Sequence, residues 1–143
     1  MKILHSKIIG DSNKHVIILH GFLGMGDNWK THAKKIAIEG FTVHLLDLRN
    51  HGRSFWDDDF SFDSMVEDIH NYLKSKNISK VDLIGHSMGG NLAFYISNKV
   101  PDKAVLLLSS ARPVTYTVAP VAPKARAIPR PAPRLAPVTK ATL

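Results

Sequence analysis

The feature that most limits how this chain can fold is an alternation of short apolar runs with helix-periodic segments. The runs are rich in leucine and β-branched residues, which is typical of strands buried on both faces. These runs are HVIIL (15–19), FTVHLL (41–46), KVDLIG (80–85) and AVLLLSS (104–110). Between the runs, apolar residues recur at helical spacing. Strand–helix–strand repetition of this kind predicts an α/β fold, a mostly parallel sheet with helices on both faces.

Smaller signals mark where these elements begin and end. Gly40 follows the stripe of Trp29, Ala33, Ile36 and Ala37, and is placed to cap that helix. Ser64 and Glu67 have capping-box spacing at the start of the next helix. The first ten residues predict an antiparallel strand at the edge of the sheet.

The last part of the chain has a different character. Seven of the eight prolines lie beyond residue 111, where acidic residues are absent. Each proline removes an N–H donor, so neither a long helix nor a central strand is expected there. We therefore predict a partial domain over residues 1–110 and a disordered tail rich in proline, alanine and basic residues over 111–143. A basic arm with a binding role is the alternative for this tail.

Composition excludes several classes of function. The net charge is +7, but residues 1–103 hold 13 basic and 12 acidic residues, so no nucleic-acid groove is expected on the domain. The chain has no cysteine, which excludes disulfides and thiolate catalysis. No apolar run approaches 18 residues, so no membrane partner is expected. Neither a cofactor nor a metal is predicted, and a cytoplasmic location is the expectation.

The stretch DLIGHSMGGNLAF (82–94) carries the strongest chemical signal. Ser87 has glycines at 85 and 89, follows a buried strand and opens a helix, which is the setting of a nucleophile elbow. Side chains at 85 and 89 would clash with the tight turn. Ser87 would then project from the carboxyl edge of the sheet, near the N–H groups of a helix N-terminus. The alternative is an ordinary N-cap serine.

A glycine-rich loop, HGFLGMGDNW (20–29), directly follows the HVIIL strand. A bend there can leave the N–H of Phe22 unpaired, and together with the N–H of Met88 it would form an oxyanion hole. The alternative is a strand-to-helix loop without chemistry. A phosphate-binding loop is disfavoured, because no Gly-Lys-Ser/Thr ending follows.

Three linked motifs, LHGFLG (19–24), DLRNHGRS (47–54) and GHSMGG (85–90), resemble those of the α/β-hydrolase fold family, particularly small bacterial carboxylesterases. The resemblance covers about residues 1–110. It implies ester hydrolysis through an acyl-enzyme on a small acyl-ester substrate, with Ser87 as nucleophile and the N–H groups of Phe22 and Met88 as oxyanion hole. The motif residues that shape and flank this site are His20, Gly21, Gly85, His86 and Gly89. DLRNHGRS is expected to be mainly a structural turn.

The partners that such a serine needs are missing from their expected places. In the resembling fold the order is serine, then acid, then histidine. All eight histidines precede Ser87, and the one acidic residue after it, Asp102, is expected in a surface turn. No catalytic acid or base is therefore found. We interpret the chain as an interrupted hydrolase, truncated before these residues, and expect it to be inactive or very weak.

Three interpretations remain open. The chain is the nucleophile half of an esterase, a binding or interaction protein that retains the pocket floor, or an inactive fragment. Since the tail cannot replace later strands, AVLLLSS would leave one apolar edge unpaired, which predicts self-association and marginal stability.

Overall fold

The computed structural model of the protein describes residues 2–99 and two later strands, and a six-stranded sheet forms its centre. The spatial order of the strands is β1-β3-β2-β4-β5-β6. The strands are β1 (Ser6–Ile9), β2 (His15–Leu19), β3 (Thr42–Leu46), β4 (Asp82–His86), β5 (Val105–Leu108) and β6 (Tyr116–Val118). Four central strands are parallel, while β1 and β6 pair antiparallel with β3 and β5. The predicted mostly parallel sheet with an antiparallel amino-terminal edge is confirmed.

Helices cover both faces of this sheet, as predicted. A 3₁₀ turn (Gly26–Trp29) leads into α1 (Lys30–Ile38), and the other two helices are α2 (Phe62–Ser75) and α3 (Met88–Lys99). Gly40, at φ +85°, follows α1 and donates its N–H to the Ala37 carbonyl, so it ends that helix. Within the described residues, no helix is both long enough and apolar enough to cross a membrane.

The core divides into two clusters because successive strand residues point to opposite faces. On β2, Ile17 and Leu19 pack in the cluster under α2 and α3, whereas Val16 and Ile18 pack against α1. All four side chains are at most 4% exposed. Burying each one stabilises the fold by about 1.5–3 kcal/mol, so a polar residue on either face would be costly. This explains why HVIIL lacks polar alternation.

The start of α2 differs from the prediction. Its N-cap is Ser61, whose hydroxyl accepts the Ser64 N–H at 3.3 Å. Ser64 therefore lies inside the first turn, and the Ser64–Glu67 capping box is wrong. The helix begins earlier because Phe62 packs against the core below α2, which adds apolar burial to the first turn.

The free edge predicted for AVLLLSS carries a strand instead. Tyr116–Val118 pairs with Val105–Leu107 along that edge. Between Pro113 and Pro120 the segment VTYTVA is free of proline and rich in β-branched residues, so a three-residue edge strand is compatible with its sequence. The rest of the predicted tail, Asp102 and Ser109–Ser110 lie outside the described residues.

The fold brings two loops together at one edge. Strands β2 and β4 are parallel neighbours, and Leu19 is paired with Gly85. Residues 20–24 and 86–88 therefore leave the carboxyl edge of the sheet side by side. Loops at this edge are where open α/β sheets bind their ligands.

Candidate active site

Ser87 occupies the turn between β4 and α3. It is the single residue that separates His86, the last of the strand, from Met88, the first of the helix. Its φ of +53° lies in the left-handed region, which strains a non-glycine residue by about 1–2 kcal/mol. The side chain is exposed. Sheet and helix thus hold a serine in a strained turn at the protein surface.

The hydrogen bonds of Ser87 do not match those of an N-cap serine. An N-cap side chain accepts the N–H two or three residues later. The backbone carbonyl of Ser87 accepts from Gly90 at 2.9 Å and from Asn91 at 3.1 Å, as the carbonyl before any helix does, so the side chain decides the question. Among the described residues, the Ser87 hydroxyl forms no hydrogen bond, so it is not used to cap α3.

Gly85 and Gly89 are required by close backbone contacts. A Cβ at 85 would lie 2.3 Å from the carbonyl oxygen of Gly89, and a Cβ at 89 would lie 2.2 Å from that of Leu19. Both distances are far below van der Waals contact. The steric reason predicted for these glycines is confirmed, since any side chain would push α3 away from β2 and β4.

The loop after β2 contacts the serine. A Cβ at Gly21 would lie 3.2 Å from the Ser87 Cβ and 3.0 Å from Nδ1 of His86. The predicted loop and the predicted elbow are therefore direct neighbours. A side chain at 21 would crowd the space beside the hydroxyl.

Two N–H groups at this edge have no hydrogen-bond acceptor among residues 2–99. The Leu23 N–H donates to Nε2 of His51 at 3.2 Å and the Gly24 N–H to the Gly21 carbonyl at 3.0 Å, but within residues 2–99 the Phe22 N–H has no acceptor. Met88 is the first residue of α3, where the N–H groups lack an intrahelical partner. The two N–H groups predicted as oxyanion donors thus belong to the residue after Gly21 and to the residue after Ser87.

His20 anchors the base of the loop and is unsuited to act as a base. It is 1% exposed, and its Nε2 accepts the Leu48 N–H at 3.0 Å. Its Nδ1 therefore carries the proton and donates to the Gly21 carbonyl at 2.8 Å. Burial lowers the pKa of His20, which keeps the ring neutral at pH 7.

His51 binds the same loop from the other side. Its Nε2 accepts the Leu23 N–H, so its Nδ1 donates to the Arg49 carbonyl at 2.9 Å. Its ring centroid lies 4.9 Å from that of His20 and 5.8 Å from that of Phe22. Two imidazoles thus hold the loop through backbone groups.

The DLRNHGRS segment (47–54) also holds the loop after β2 in place through hydrogen bonds and an ion pair. The buried carboxylate of Asp47 accepts the N–H groups of Gly26 at 2.7 Å and Arg53 at 2.9 Å. Arg49 forms a buried bidentate pair with Asp68 at 2.5 and 2.8 Å, and this hydrogen bonding raises the pKa of Arg49. The segment therefore ties the loop after β2 to helix α2.

None of the eight histidines, all among residues 2–99, forms a hydrogen bond with the Ser87 hydroxyl in the structure. The ring of His86 lies beside Trp29, with centroids 5.5 Å apart, on the α1 side of the sheet. A cavity of about 400 Å³ opens there, lined by residues 20–24, 28 and 29 together with His32 and His86, and Ser87 is not among its lining residues. His15 and His44 bond to each other, while His32 and His70 are exposed and the backbone N–H of His5 donates to Ser54.

The described residues contain no candidate metal-binding site. No group of three or more His, Asp or Glu side chains there is placed to hold an ion.

The contacts that sequence reasoning missed are those of His51 and Arg49. The NHGRS string signals a turn, but only the folded structure shows which amide its imidazole accepts.

Comparisons with known proteins agree with this geometry. A family model for the alpha/beta hydrolase fold matches residues 14–127, beyond residue 110, at which the predicted partial domain ends. A putative esterase/lipase of Haemophilus influenzae is 36% identical over 102 residues, covering 71% of this chain and 35% of the relative. Ethanol acetyltransferase 1 of Cyberlindnera fabianii is 28% identical over 113 residues, covering 77% and 34%.

A solved structure of a marine microorganism esterase has 44% sequence identity and a TM-score of 0.70, covering 76% of this chain and 41% of that one. The chain spans about a third of the length of the curated relatives it matches. With the family match over most of its length, the sheet order and the elbow turn, this chain belongs to the α/β-hydrolase fold family.

Proposed function

We propose that this chain carries the nucleophile half of a carboxylesterase-type serine hydrolase. The observation on which this depends is the exposed Ser87 at φ +53°, in contact with the loop whose Phe22 N–H has no acceptor among residues 2–99. Strain of this kind persists only where the surrounding structure holds it, and it concentrates at functional sites. The esterases among the relatives support the same chemistry.

In the proposed reaction, the Ser87 oxygen attacks the carbonyl carbon of a small acyl ester. The carbonyl oxygen becomes an oxyanion, which accepts hydrogen bonds from the N–H groups of Phe22 and Met88. The ester C–O bond then breaks, the alcohol leaves with the proton of the serine, and the acyl group stays on the oxygen. Water subsequently attacks this acyl-enzyme, releasing a carboxylic acid and restoring the hydroxyl.

None of the chain's own histidines serves as general base in this proposal. His20 and His51 use both ring nitrogens on backbone groups, and His86 packs beside Trp29. Loss of triad members costs on the order of 10⁶ in kcat, leaving about 10³–10⁴ over water. We therefore expect slow but serine-dependent reactivity from this chain alone.

A fluorophosphonate probe tests the nucleophile directly. The serine oxygen displaces fluoride from phosphorus, leaving a stable adduct that peptide mapping can locate. We expect the adduct on Ser87, its loss in the Ser87→Ala variant, and its retention in Ser97→Ala. Ser97 is a matched control on the same helix, whose hydroxyl is bonded to the Phe94 carbonyl. Equal labelling of wild type and Ser87→Ala would refute the proposal.

A second candidate, a binding protein that retains the pocket floor, is favoured by the lack of a base beside Ser87 in the described residues. It predicts no adduct even after long exposure to the probe. It also predicts that a short-chain ester shifts the amide NMR signals of Phe22 and Met88 without being cleaved. Serine-dependent labelling would exclude this candidate.

A further inference from the structure

The backbone N–H groups of the three residues that follow Gly21 differ in their hydrogen bonding. The Phe22 N–H has no acceptor in the described residues, the next donates to Nε2 of His51, and the Gly24 N–H donates back to the Gly21 carbonyl. Within residues 2–99, the Phe22 N–H is thus the one amide of the three that has no acceptor, while its two successors are engaged. The central bond, from Leu23 to His51, joins residues 28 positions apart in the chain.

The backbone at the centre of this turn is strained. Leu23 has φ +60°, a conformation that non-glycine residues rarely adopt. Its side chain is 83% exposed, so its own packing does little to hold it there. Support must come from the backbone hydrogen bonds of the turn. Among residues 2–99, the bond to His51 is the only one that a side chain makes to the strained residue itself.

The imidazole of His51 is itself held in a fixed orientation. Its Nδ1 donates to the Arg49 carbonyl, and the rings of His20, Phe22 and Phe60 pack around it at centroid distances of 4.9 to 5.8 Å. His51 as a whole is only 7% exposed. Nε2 is therefore presented to the loop as an acceptor of fixed position.

We propose that His51 is the positioning residue of the oxyanion loop. By accepting the Leu23 N–H, it holds the strained turn in which the Phe22 N–H stays free for the oxyanion. His51 acts through the loop and does not touch the substrate. The catalytic consequence depends on the proposed function of Ser87, whereas the effect on the loop does not.

Two substitutions of similar length separate the hydrogen bond from the packing. His51→Gln places a carbonyl oxygen near the former Nε2, while His51→Met fills the space without a strong acceptor. His70→Met is the control, since His70 is an exposed histidine on α2. The readouts are hydrogen exchange at the Leu23 amide, the ¹⁵N shifts of the His51 ring, and the rate of fluorophosphonate labelling.

We expect wild-type His51 to show a protonated Nδ1 and an accepting Nε2. In the His51→Met variant, the Leu23 amide should exchange about tenfold faster, because the loss of one hydrogen bond makes local opening of the turn easier. Fluorophosphonate labelling of Ser87 should be slower by a similar factor. The His51→Gln variant should recover protection and labelling, and His70→Met should match wild type.

Three results would overturn the proposal. These are a protonated Nε2 in the wild-type ring, unchanged Leu23 exchange in His51→Met, and a His51→Gln variant as perturbed as His51→Met. The ring shifts are measured on the wild type, so they decide even if a variant fails to fold. Failure of the proposed function looks different: Ser87 would stay unlabelled while the Leu23 amide still responds to His51→Met.

Discussion

A buried histidine in β3 should make the stability of this fold depend on pH. His44 is 2% exposed, and its Nδ1 and Nε2 lie 2.8 Å from the Tyr72 hydroxyl and 3.0 Å from Nδ1 of His15. Burial, with smaller contributions from His15 and Lys76, lowers the pKa of His44 from 6.5 to about 4. The neutral ring is therefore the form that fits the core.

The sign and size of the effect follow from linkage. Because the folded pKa of His44 is the lower one, the unfolded chain takes up the proton first as the pH falls. Stability is full above about pH 6.5, is lost through the window down to about pH 4, and levels off below it. At 1.36 kcal/mol per pKa unit the whole loss is about 3 kcal/mol, of which about 2 kcal/mol is reached at pH 5. Small domains are stabilised by only about 5–15 kcal/mol, so this loss is readily measured.

Urea unfolding at pH 8 and pH 5 measures this loss. We expect the free energy of unfolding of the His44→Phe variant to fall by about 2 kcal/mol less than that of wild type over this interval. Burial also lowers the pKa of His20, so part of the pH dependence should remain in the variant. His70→Gln is the matched control and should behave as wild type, since His70 is exposed. Identical pH dependence in wild type and His44→Phe would refute the reasoning.

Three further substitutions, with Gly40→Ala as a control, test the structural basis of the site by urea unfolding. Gly89→Ala should lower the free energy of unfolding by about 3 kcal/mol, because its Cβ would lie 2.2 Å from a backbone oxygen of β2. Gly40→Ala should lower it by only about 1 kcal/mol, because position 40 has open space and only its φ of +85° is unfavourable. Equal costs would contradict the steric explanation. Ser87→Gly should stabilise the chain by about 1 kcal/mol while abolishing probe labelling, since glycine tolerates φ +53°. Asp68→Asn should cost about 3 kcal/mol, because it leaves the buried Arg49 unpaired, and a loss below about 1 kcal/mol would show that the pair is dispensable.

The sheet and the elbow could be predicted because their signals are local. The bounds of HVIIL agree with β2 to the residue. Side chains at 85 and 89 would clash with the backbone, as the spacing of these glycines around Ser87 implied. Both follow from short-range geometry: a strand buried on both faces needs an apolar run, and a strand-to-helix turn needs room.

What the sequence could not show depends on partners distant in the chain. The role of His51 arises from an amide 28 positions away, and nothing in NHGRS indicates that partner. Ser64 has better capping-box spacing than Ser61, yet packing of Phe62 starts the helix earlier. The strand Tyr116–Val118 was missed because the prolines around it dominate the composition of that segment.

The most direct test of the central claim is the mass of the acyl-enzyme. Intact-mass and peptide analysis after incubation with p-nitrophenyl acetate would locate any acetyl group that the ester transfers. We predict one acetyl group on Ser87, long-lived because no histidine or acid among residues 2–99 is bonded to this serine and could activate water for the release of the acetyl group. Acetyl groups found only on lysines, or in equal amount on the Ser87→Ala variant, would contradict the claim that this turn presents a nucleophile.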